Sequence, residues 1–163
     1  LADLAPASGR GTRIDLALRD GSALLIDESY NANPVSMRAA LALLGRAEIG
    51  PRGRRIAVLG DMLELGDQAD ALHRELAEPI VENAVDLVFC CGAAMQALWQ
   101  ALPSGRRGGY AEDSKGLEAS VIDATRAGDA IMVKGSNGSR MAPIVKALER
   151  AYARASQDAD SRN

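Results

Sequence analysis

The sequence predicts a three-layer α/β domain of Rossmann-like form, in which helices cover both faces of a mostly parallel sheet of about six strands. Three observations predict this fold class. Apolar runs of strand length alternate with segments whose apolar residues recur at helical spacing. The dipeptide Asp20-Gly21 lies between the first two runs and is typical of a hairpin, which predicts one antiparallel strand. The length of 163 residues suits one compact core.

The predicted strands are short runs rich in Val, Ile and Leu. In chain order they are Ile14–Leu18, Ala23–Asp27, Arg55–Leu59, Leu87–Cys91, a weaker run at Gly109–Ala111, and Ala130–Val133. The predicted helices are Pro34–Gly45, Ala69–Asn83, Ala93–Ala101, Ser114–Arg126 and Arg140–Ala153. Asn33 can cap the first helix, and Pro34 suits its first turn, because an N–H group at that position would have no helical partner.

The domain limits follow from composition at the two ends. Residues 1–11 contain Pro6, Gly9 and Gly11 and are predicted to be a linker that leads into the domain. Residues 12–155 form the domain itself. Residues 156–163 are polar and lack apolar periodicity, which predicts a disordered tail.

Composition argues against several classes of function. With 22 acidic and 19 basic residues the formal net charge is −3, and only 3% of the residues are aromatic, so we expect no nucleic-acid partner. No apolar run approaches the roughly 20 residues of a membrane span, so no membrane association is expected. The adjacent Cys90 and Cys91 cannot link distant segments and match no metal-site spacing. They are predicted to be buried, reduced thiols, as is typical of a cytoplasmic protein.

Polar residues follow the predicted strands, where a parallel sheet collects its strand-to-helix loops. The segment Asp27–Met37 places Tyr30, Asn31 and Asn33 between a buried strand and a helix. In Gly60–Gly66, Asp61 either faces an amine or caps a turn. This loop is also unusually apolar, so it could cover a ligand or contact another domain.

The loop Lys134–Arg140 could direct backbone N–H groups, the Ser136 hydroxyl and the Lys134 charge towards an anion. A capped turn that binds nothing is the alternative. The sequence contains no GxxxxGK[ST] motif and no GxGxxG motif at the first helix, so it cannot hold a triphosphate by the usual P-loop. The only histidine, His73, lies within a predicted helix, which favours a structural or surface role.

Three sequence blocks resemble the C-terminal domain of the Mur ligases and occur in the same order as in that family. The resemblance is specifically to the branch that joins D-alanyl-D-alanine to UDP-N-acetylmuramoyl-tripeptide. The blocks are DESYNANPVSM at 27–37, RRIAVLGDMLELG at 54–66 followed by His73, and GDAIMVKGSNGSRM at 128–141. The resemblance covers nearly all of the chain after residue 11. The family commonly has two aspartates where this chain has Asp27-Glu28, so any contact assigned to Glu28 is weakened.

The resemblance implies the C-terminal domain of a bacterial cytoplasmic enzyme of peptidoglycan precursor synthesis. Its partners would be its own N-terminal domain, which binds the UDP-muramoyl tripeptide, and its own central domain, which binds ATP and Mg²⁺. Residues 1–11 would then be the linker from that central domain. ATP converts the tripeptide carboxylate into an acyl phosphate, and the amine of D-alanyl-D-alanine attacks it.

The resemblance also implies roles for the residues after the strands. The nucleotide side would be Tyr30, Asn31 and Asn33. The side facing the dipeptide and the acyl phosphate would be Asp61, Lys134 and Ser136. No catalytic or metal-binding residue is expected in this chain, so it should be inactive alone.

Two alternatives remain from the sequence. One is a stand-alone Rossmann-like module that binds a nucleotide or an amino acid. The other is the C-terminal domain of a folylpolyglutamate synthetase-type enzyme, which shares the domain plan. The GDMLELG block at 60–66 argues against the second.

Overall fold

The computed structural model describes residues 9–160 of the chain, with side chains up to residue 152. The strands are β1 (Thr12–Leu18), β2 (Gly21–Glu28), β3 (Arg55–Gly60), β4 (Leu87–Cys91), β5 (Arg107–Ala111) and β6 (Ala130–Lys134). They form one sheet in the order β1-β2-β6-β3-β4-β5. Every pairing is parallel except that of β1 with β2. The predicted fold class is therefore confirmed, and the weak run at Gly109–Ala111 is a strand that begins at Arg107.

The hairpin turn lies one residue earlier than predicted. Leu18 pairs with Gly21, so the two connecting residues are Arg19 and Asp20, and Gly21 is already the first residue of β2. Gly21 has φ of +151°, a conformation that L side chains rarely adopt. The glycine of the Asp-Gly signal thus starts the returning strand.

The helices are α1 (Pro34–Arg46), α2 (Ala69–Arg74), α3 (Ala77–Glu82), α4 (Gln96–Ala101), α5 (Ser114–Ala124) and α6 (Ala142–Asp160). The predicted helix Ala69–Asn83 is wrong as a single element, because it divides into α2 and α3. Pro79 explains the division: it has no N–H to donate, and its ring crowds the carbonyl four residues earlier. The backbone tightens at that point, where Leu76 donates to the carbonyl of His73.

Two other helix starts differ from the predicted ones. α4 begins at Gln96 rather than Ala93, because the Asp61 carboxylate accepts the N–H groups of Ala94 and Met95 in a turn ahead of the helix. α6 begins at Ala142 rather than Arg140, because Arg140 has φ of +55° and ψ of +53°, which is left-handed backbone.

The central strand β6 contributes to a core on each face of the sheet. Its residues Ala130 and Met132 belong to the same core as buried residues of α1, α3 and α4, whereas Ile131 and Val133 belong to the core that includes buried residues of α5 and α6. All four are buried. A strand covered on both faces needs a continuous apolar run rather than alternation, as the sequence has here.

Cys90 and Cys91 of β4 are buried and form no disulfide, which confirms their prediction as buried, reduced thiols. Burial, with smaller contributions from neighbouring negative groups that include Asp61, raises the pKa of Cys90 to about 12 and that of Cys91 to about 11. Both side chains therefore stay neutral in the folded protein well above the usual pKa of a thiol.

The ends of the domain differ in part from the sequence analysis. Residues 1–8 of the predicted linker and 161–163 of the predicted disordered tail lie outside the described residues. α6 continues through residues 156–160. The division into linker, domain and tail otherwise remains a prediction. No helix between residues 9 and 160 combines the length and apolar character that a membrane span requires.

Candidate functional site

Five loops lie at one edge of the sheet, where β2 to β6 end. They are residues 29–33, 61–65, 92–95, 112–113 and 135–141. Because these five strands are parallel, segments far apart in the chain meet at this edge. We call these five loops the rim.

Ser136 joins three parts of the rim. Its backbone N–H donates to the carbonyl oxygen of Asp61 at 3.2 Å. Its hydroxyl accepts the N–H of Leu63 at 3.1 Å and donates to the carbonyl oxygen of Ala32 at 3.3 Å. The loops that carry Asn33, Asp61 and Ser136 therefore lie together, as the sequence analysis requires. The hydroxyl of Ser136 is, however, used within the protein.

Lys134 fastens the first loop to the end of β6. Its Nζ donates to the carbonyl oxygen of Asn31 at 2.8 Å and lies 3.6 Å from Oε2 of Glu28. Burial lowers the pKa of Lys134, and the nearby Glu28 carboxylate partly opposes that shift. Glu28, whose side chain is longer than the aspartate common in the family, thus has a definite partner here.

The asparagines of the first loop also hold its backbone. Asn33 caps α1: its Oδ1 accepts the N–H of Ser36 at 2.8 Å, and the Ser36 hydroxyl accepts the N–H of Asn33 at 3.0 Å. This confirms the predicted cap, with Pro34 at the start of the helix. Oδ1 of Asn31 accepts the N–H of Ala32 at 2.9 Å.

Tyr30 presents an exposed ring at the same loop. The residue is 47% exposed, and the guanidinium carbon of Arg10 lies 4.0 Å from the ring centroid. The N–H of Tyr30 donates to the carbonyl oxygen of Gly9. Arg10 was not singled out by the sequence analysis, since it falls in the predicted linker and its position depends on this contact between distant segments.

His73 holds the backbone of the loop after β3 in place. Nε2 of His73 accepts the N–H of Met62 at 3.0 Å, so the ring proton lies on Nδ1, which is 2.6 Å from the carbonyl oxygen of Ala69. His73 is fully buried, in agreement with a structural role. Of the apolar loop side chains, Met62 points into the core and Leu63 is 43% exposed.

Two of the cavities in the described part of the chain open on the rim. The first, of about 310 Å³, is bordered by Arg10, Glu28, Tyr30, Asn31 and Lys134 among others. We call it the Tyr30 cavity. It contains three of the six predicted site residues and charges of both signs, and its size is at the lower end of ligand-binding cavities in proteins.

The second, the Arg140 cavity, has a volume of about 300 Å³ and is bordered by Asp61, Gly92, Glu112, Asp113 and Arg140 among others. Of the predicted site residues only Asp61 borders it. Asn33 and Ser136 border neither cavity, so the structure brings their loops to the rim but directs their polar atoms into the protein. Glu112, Asp113 and Arg140 were not predicted as site residues.

A larger concavity lies at the opposite edge of the sheet, beside Gly21, Arg52 and Gly128. It is remote from all six predicted site residues. Within the described part of the chain, no group of three or more His, Cys, Asp or Glu side chains is placed to hold a metal ion.

Comparison with known proteins agrees with this architecture. The model of the family described as "Mur ligase, glutamate ligase domain" matches residues 9–137, a range that includes all six strands and most of the rim. The UDP-N-acetylmuramoyl-tripeptide–D-alanyl-D-alanine ligase of Bacillus subtilis (strain 168) is 34% identical over 142 residues. That alignment covers 85% of this chain and 30% of the Bacillus enzyme, so the chain spans about a third of the relative's length.

Solved structures show the same similarity. A crystal structure of MurF from Acinetobacter baumannii is similar at a TM-score of 0.78 and 27% identity, covering 92% of this chain and 32% of that one. MurF ligase from Thermotoga maritima, solved in complex with ADP, has a TM-score of 0.73 at 24% identity over the same shares of the two chains, which shows likeness of fold. Because the family model matches most of the sequence, this chain belongs to the Mur ligase C-terminal family.

Proposed function

We propose that the chain is the C-terminal domain of an ATP-dependent ligase that joins D-alanyl-D-alanine to UDP-N-acetylmuramoyl-tripeptide in the bacterial cytoplasm, during synthesis of the peptidoglycan precursor. The main support is the rim, where three distant loops are tied together by Ser136 and leave two small cavities on one face. The names of the relatives supply the reaction. Each cavity is of a size to hold part of a ligand rather than to enclose one.

The Tyr30 cavity is proposed as the nucleotide side. Tyr30 offers an exposed aromatic face for stacking, with the Arg10 guanidinium beside it. Asn31 borders the same cavity, and Lys134 holds the Asn31 carbonyl. In this proposal Asn33 acts by capping α1 and so fixing the loop that carries Tyr30.

The Asp61 side of the rim is proposed to receive the dipeptide near the acyl phosphate. Ser136 positions this region, because its hydroxyl binds the loops that carry Leu63 and Ala32. Lys134 was predicted on this side, but its Nζ holds the Asn31 carbonyl and it borders the Tyr30 cavity. ATP phosphorylates the tripeptide carboxylate, releasing ADP. The dipeptide amine then attacks the acyl carbon, phosphate leaves and the amine loses a proton. ATP and Mg²⁺ are bound mainly by the central domain in this proposal, and this domain positions the amine and helps to exclude water.

Activity of a chimera tests the proposal. The C-terminal 30% of the Bacillus subtilis ligase is replaced by this chain, and phosphate release is measured with ATP, the muramoyl tripeptide and D-alanyl-D-alanine. We expect turnover that depends on the dipeptide, whereas the isolated chain should release no phosphate. A well-folded chimera that is silent, or turnover by the isolated chain, would contradict the proposal.

The assignment of the nucleotide side has a separate test. Lys134→Met in the chimera should raise the KM for ATP about fivefold or more, because the Asn31 carbonyl loses its donor and the loop loosens. Lys146→Met, at an exposed position of α6, is the matched control and should leave KM unchanged. Tight, micromolar binding of ATP by the isolated chain in a calorimetric titration would instead favour a stand-alone binding module.

A further inference from the structure

β1 is the outermost strand on one side of the sheet, so its outer edge has no neighbouring strand within the described residues. It pairs with β2 along its whole length of seven residues, and this pairing has no irregularity. A regular strand of this length presents a row of backbone N–H and C=O groups to a further strand. The outer edge of β1 is therefore suited to pair with another polypeptide.

The other outermost strand, β5, is protected in ways that β1 is not. β5 has only five residues, and its pairing with β4 shifts register between Val88 and Phe89. Two of its residues are the glycines Gly108 and Gly109, which weaken a strand because they bring no side chain to pack. Short edge strands and irregular pairing are usual means of preventing association between sheet edges. β1 has neither, and it also lacks the proline and lysine that often protect an edge.

The charged side chains of β1 lie on one face of the strand and have opposite signs. Side chains alternate between the two faces of a strand, so Arg13 and Asp15 share a face, and both are exposed. Neither has an ion-pair partner in the described part of the chain. Ile14 lies on the other face, where it packs against the core that includes α5 and α6 and remains partly exposed.

A second copy of this chain fits these features by symmetry. A two-fold axis perpendicular to the sheet makes the two β1 strands antiparallel and keeps the α6 face of both copies on the same side. With Ile14 at this axis, Arg13 of each copy lies directly opposite Asp15 of the other. Directly opposite residues in an antiparallel pair have Cβ atoms about 5 Å apart, within reach of an ion pair. The dimer thus gains two Arg–Asp pairs, and the two Ile14 side chains cover each other.

The neighbouring registers are disfavoured by charge. An axis at Asp15 would place the two Asp15 carboxylates opposite each other, and an axis at Arg13 would do the same for the two guanidinium groups. Like charges directly opposite each other destabilise a strand pair. Protection against self-association would be better served by charges of one sign, which repel in every register. The pattern on β1 instead favours one antiparallel register.

We propose that β1 is a self-association edge, through which two copies of this chain form an antiparallel dimer whose two sheets join into one. The contact is a single strand pair, and stable interfaces bury roughly 1,200 Å² or more, so the dimer should be weak and reversible. The axis reverses the strands of the second copy, so the two rims face in opposite directions and both stay open. The inference goes beyond the proposed function and does not depend on it.

Sedimentation equilibrium of the chain tests the dimer. We expect the average mass to rise from that of a monomer towards that of a dimer between about 10 μM and 1 mM. Asp15→Arg places arginines opposite arginines, and Arg13→Asp places aspartates opposite aspartates, so each variant should raise the dimer Kd about tenfold. Arg38→Asp makes the same change of charge at an exposed position of α1 and should leave the Kd unchanged.

A mixture of the two variants separates charge pairing from any effect on folding. Asp15→Arg carries only positive charges at positions 13 and 15, and Arg13→Asp carries only negative ones. A mixed dimer therefore restores both opposite-charge pairs, and the equimolar mixture should dimerise with nearly the original Kd. The double variant Arg13→Asp/Asp15→Arg exchanges the two signs and should also dimerise like the original chain.

Three results would overturn the inference. A chain that is still monomeric at about 1 mM has no such edge contact. A dimer that persists unchanged in Asp15→Arg uses another surface. Failure of the mixed variants and of the double variant to dimerise would show that the charges of β1 do not specify the contact. None of these results decides the proposed function, which is measured by turnover of the chimera.

Discussion

Replacing His73 by leucine tests how the rim loop after β3 is supported. Leucine is apolar and fills part of the same buried space, but it cannot accept a hydrogen bond. The N–H of Met62 would lose its acceptor at 3.0 Å, and Met62 is only 2% exposed, so water has little access to replace it. The carbonyl oxygen of Ala69 would lose the Nδ1 donor as well.

The expected effect follows from the cost of one unsatisfied buried donor. Such a group destabilises a protein by about 1–3 kcal/mol. For a domain of this size each kcal/mol lowers the melting temperature by roughly 2–4 °C, so His73→Leu should lower it by about 2–12 °C. Urea unfolding followed by circular dichroism measures the free energy of unfolding, and a thermal scan measures the melting temperature.

Two variants control for changes in packing and helix composition. His73→Gln keeps an acceptor that can reach the Met62 N–H, so it should recover part of the loss. Arg74→Leu places the same new residue at the next, exposed position of α2 and should change the free energy of unfolding little. If His73→Leu is as stable as the original chain, the Met62 N–H has another partner and the proposed support of the loop is refuted.

Three other perturbations have definite expected outcomes. Asn33→Ala removes the cap of α1 and should lower the free energy of unfolding by about 1 kcal/mol, as measured by urea denaturation. Gly53→Ala would place a Cβ 2.1 Å from the Gly128 carbonyl oxygen and should prevent stable folding, whereas Gly105→Ala meets nothing within 4 Å and should melt near the original temperature. The raised pKa values of Cys90 and Cys91 mean that the unfolded chain loses these protons first as pH rises above 9, so stability should fall from there towards pH 11. Replacing both cysteines with alanine should flatten this loss in urea titrations at several pH values, and an unchanged slope would assign it to other groups.

The fold was predictable because strands that are buried on both faces of the sheet need continuous runs of apolar residues, and such runs are visible in the sequence. The bounds of β4, Leu87–Cys91, agree at both ends with the apolar run. The starts of α1, α2 and α5 were predicted correctly, but those of α4 and α6 were not, since they depend on contacts from elsewhere. Nothing near Ala93 in the sequence indicates that a carboxylate from the loop after β3 holds the turn ahead of α4.

The meeting of the rim loops was predictable from the rule for parallel sheets, but the use of each polar atom was not. Sequence analysis predicted Ser136 and Lys134 as ligand-facing residues, and the structure shows their side chains bound to neighbouring loops. Arg140 was missed for a related reason. Its place in a predicted helix concealed the left-handed backbone that the tertiary structure imposes.

The central position of β6 has a consequence for how the polypeptide is made. β6 is the last of the six described strands in chain order, yet it lies between β2 and β3 in the sheet. Leu24 of β2 therefore cannot form its parallel pairing until Ala130 of β6 has been synthesised. Until then a nascent chain on the ribosome holds two separate strand groups, β1-β2 and β3-β4-β5, with open edges that can pair with other chains. Completion of the sheet therefore depends on pairing between strands far apart in the chain, which is intrinsically slow, and a product that stops before Lys134 leaves the two strand groups unjoined.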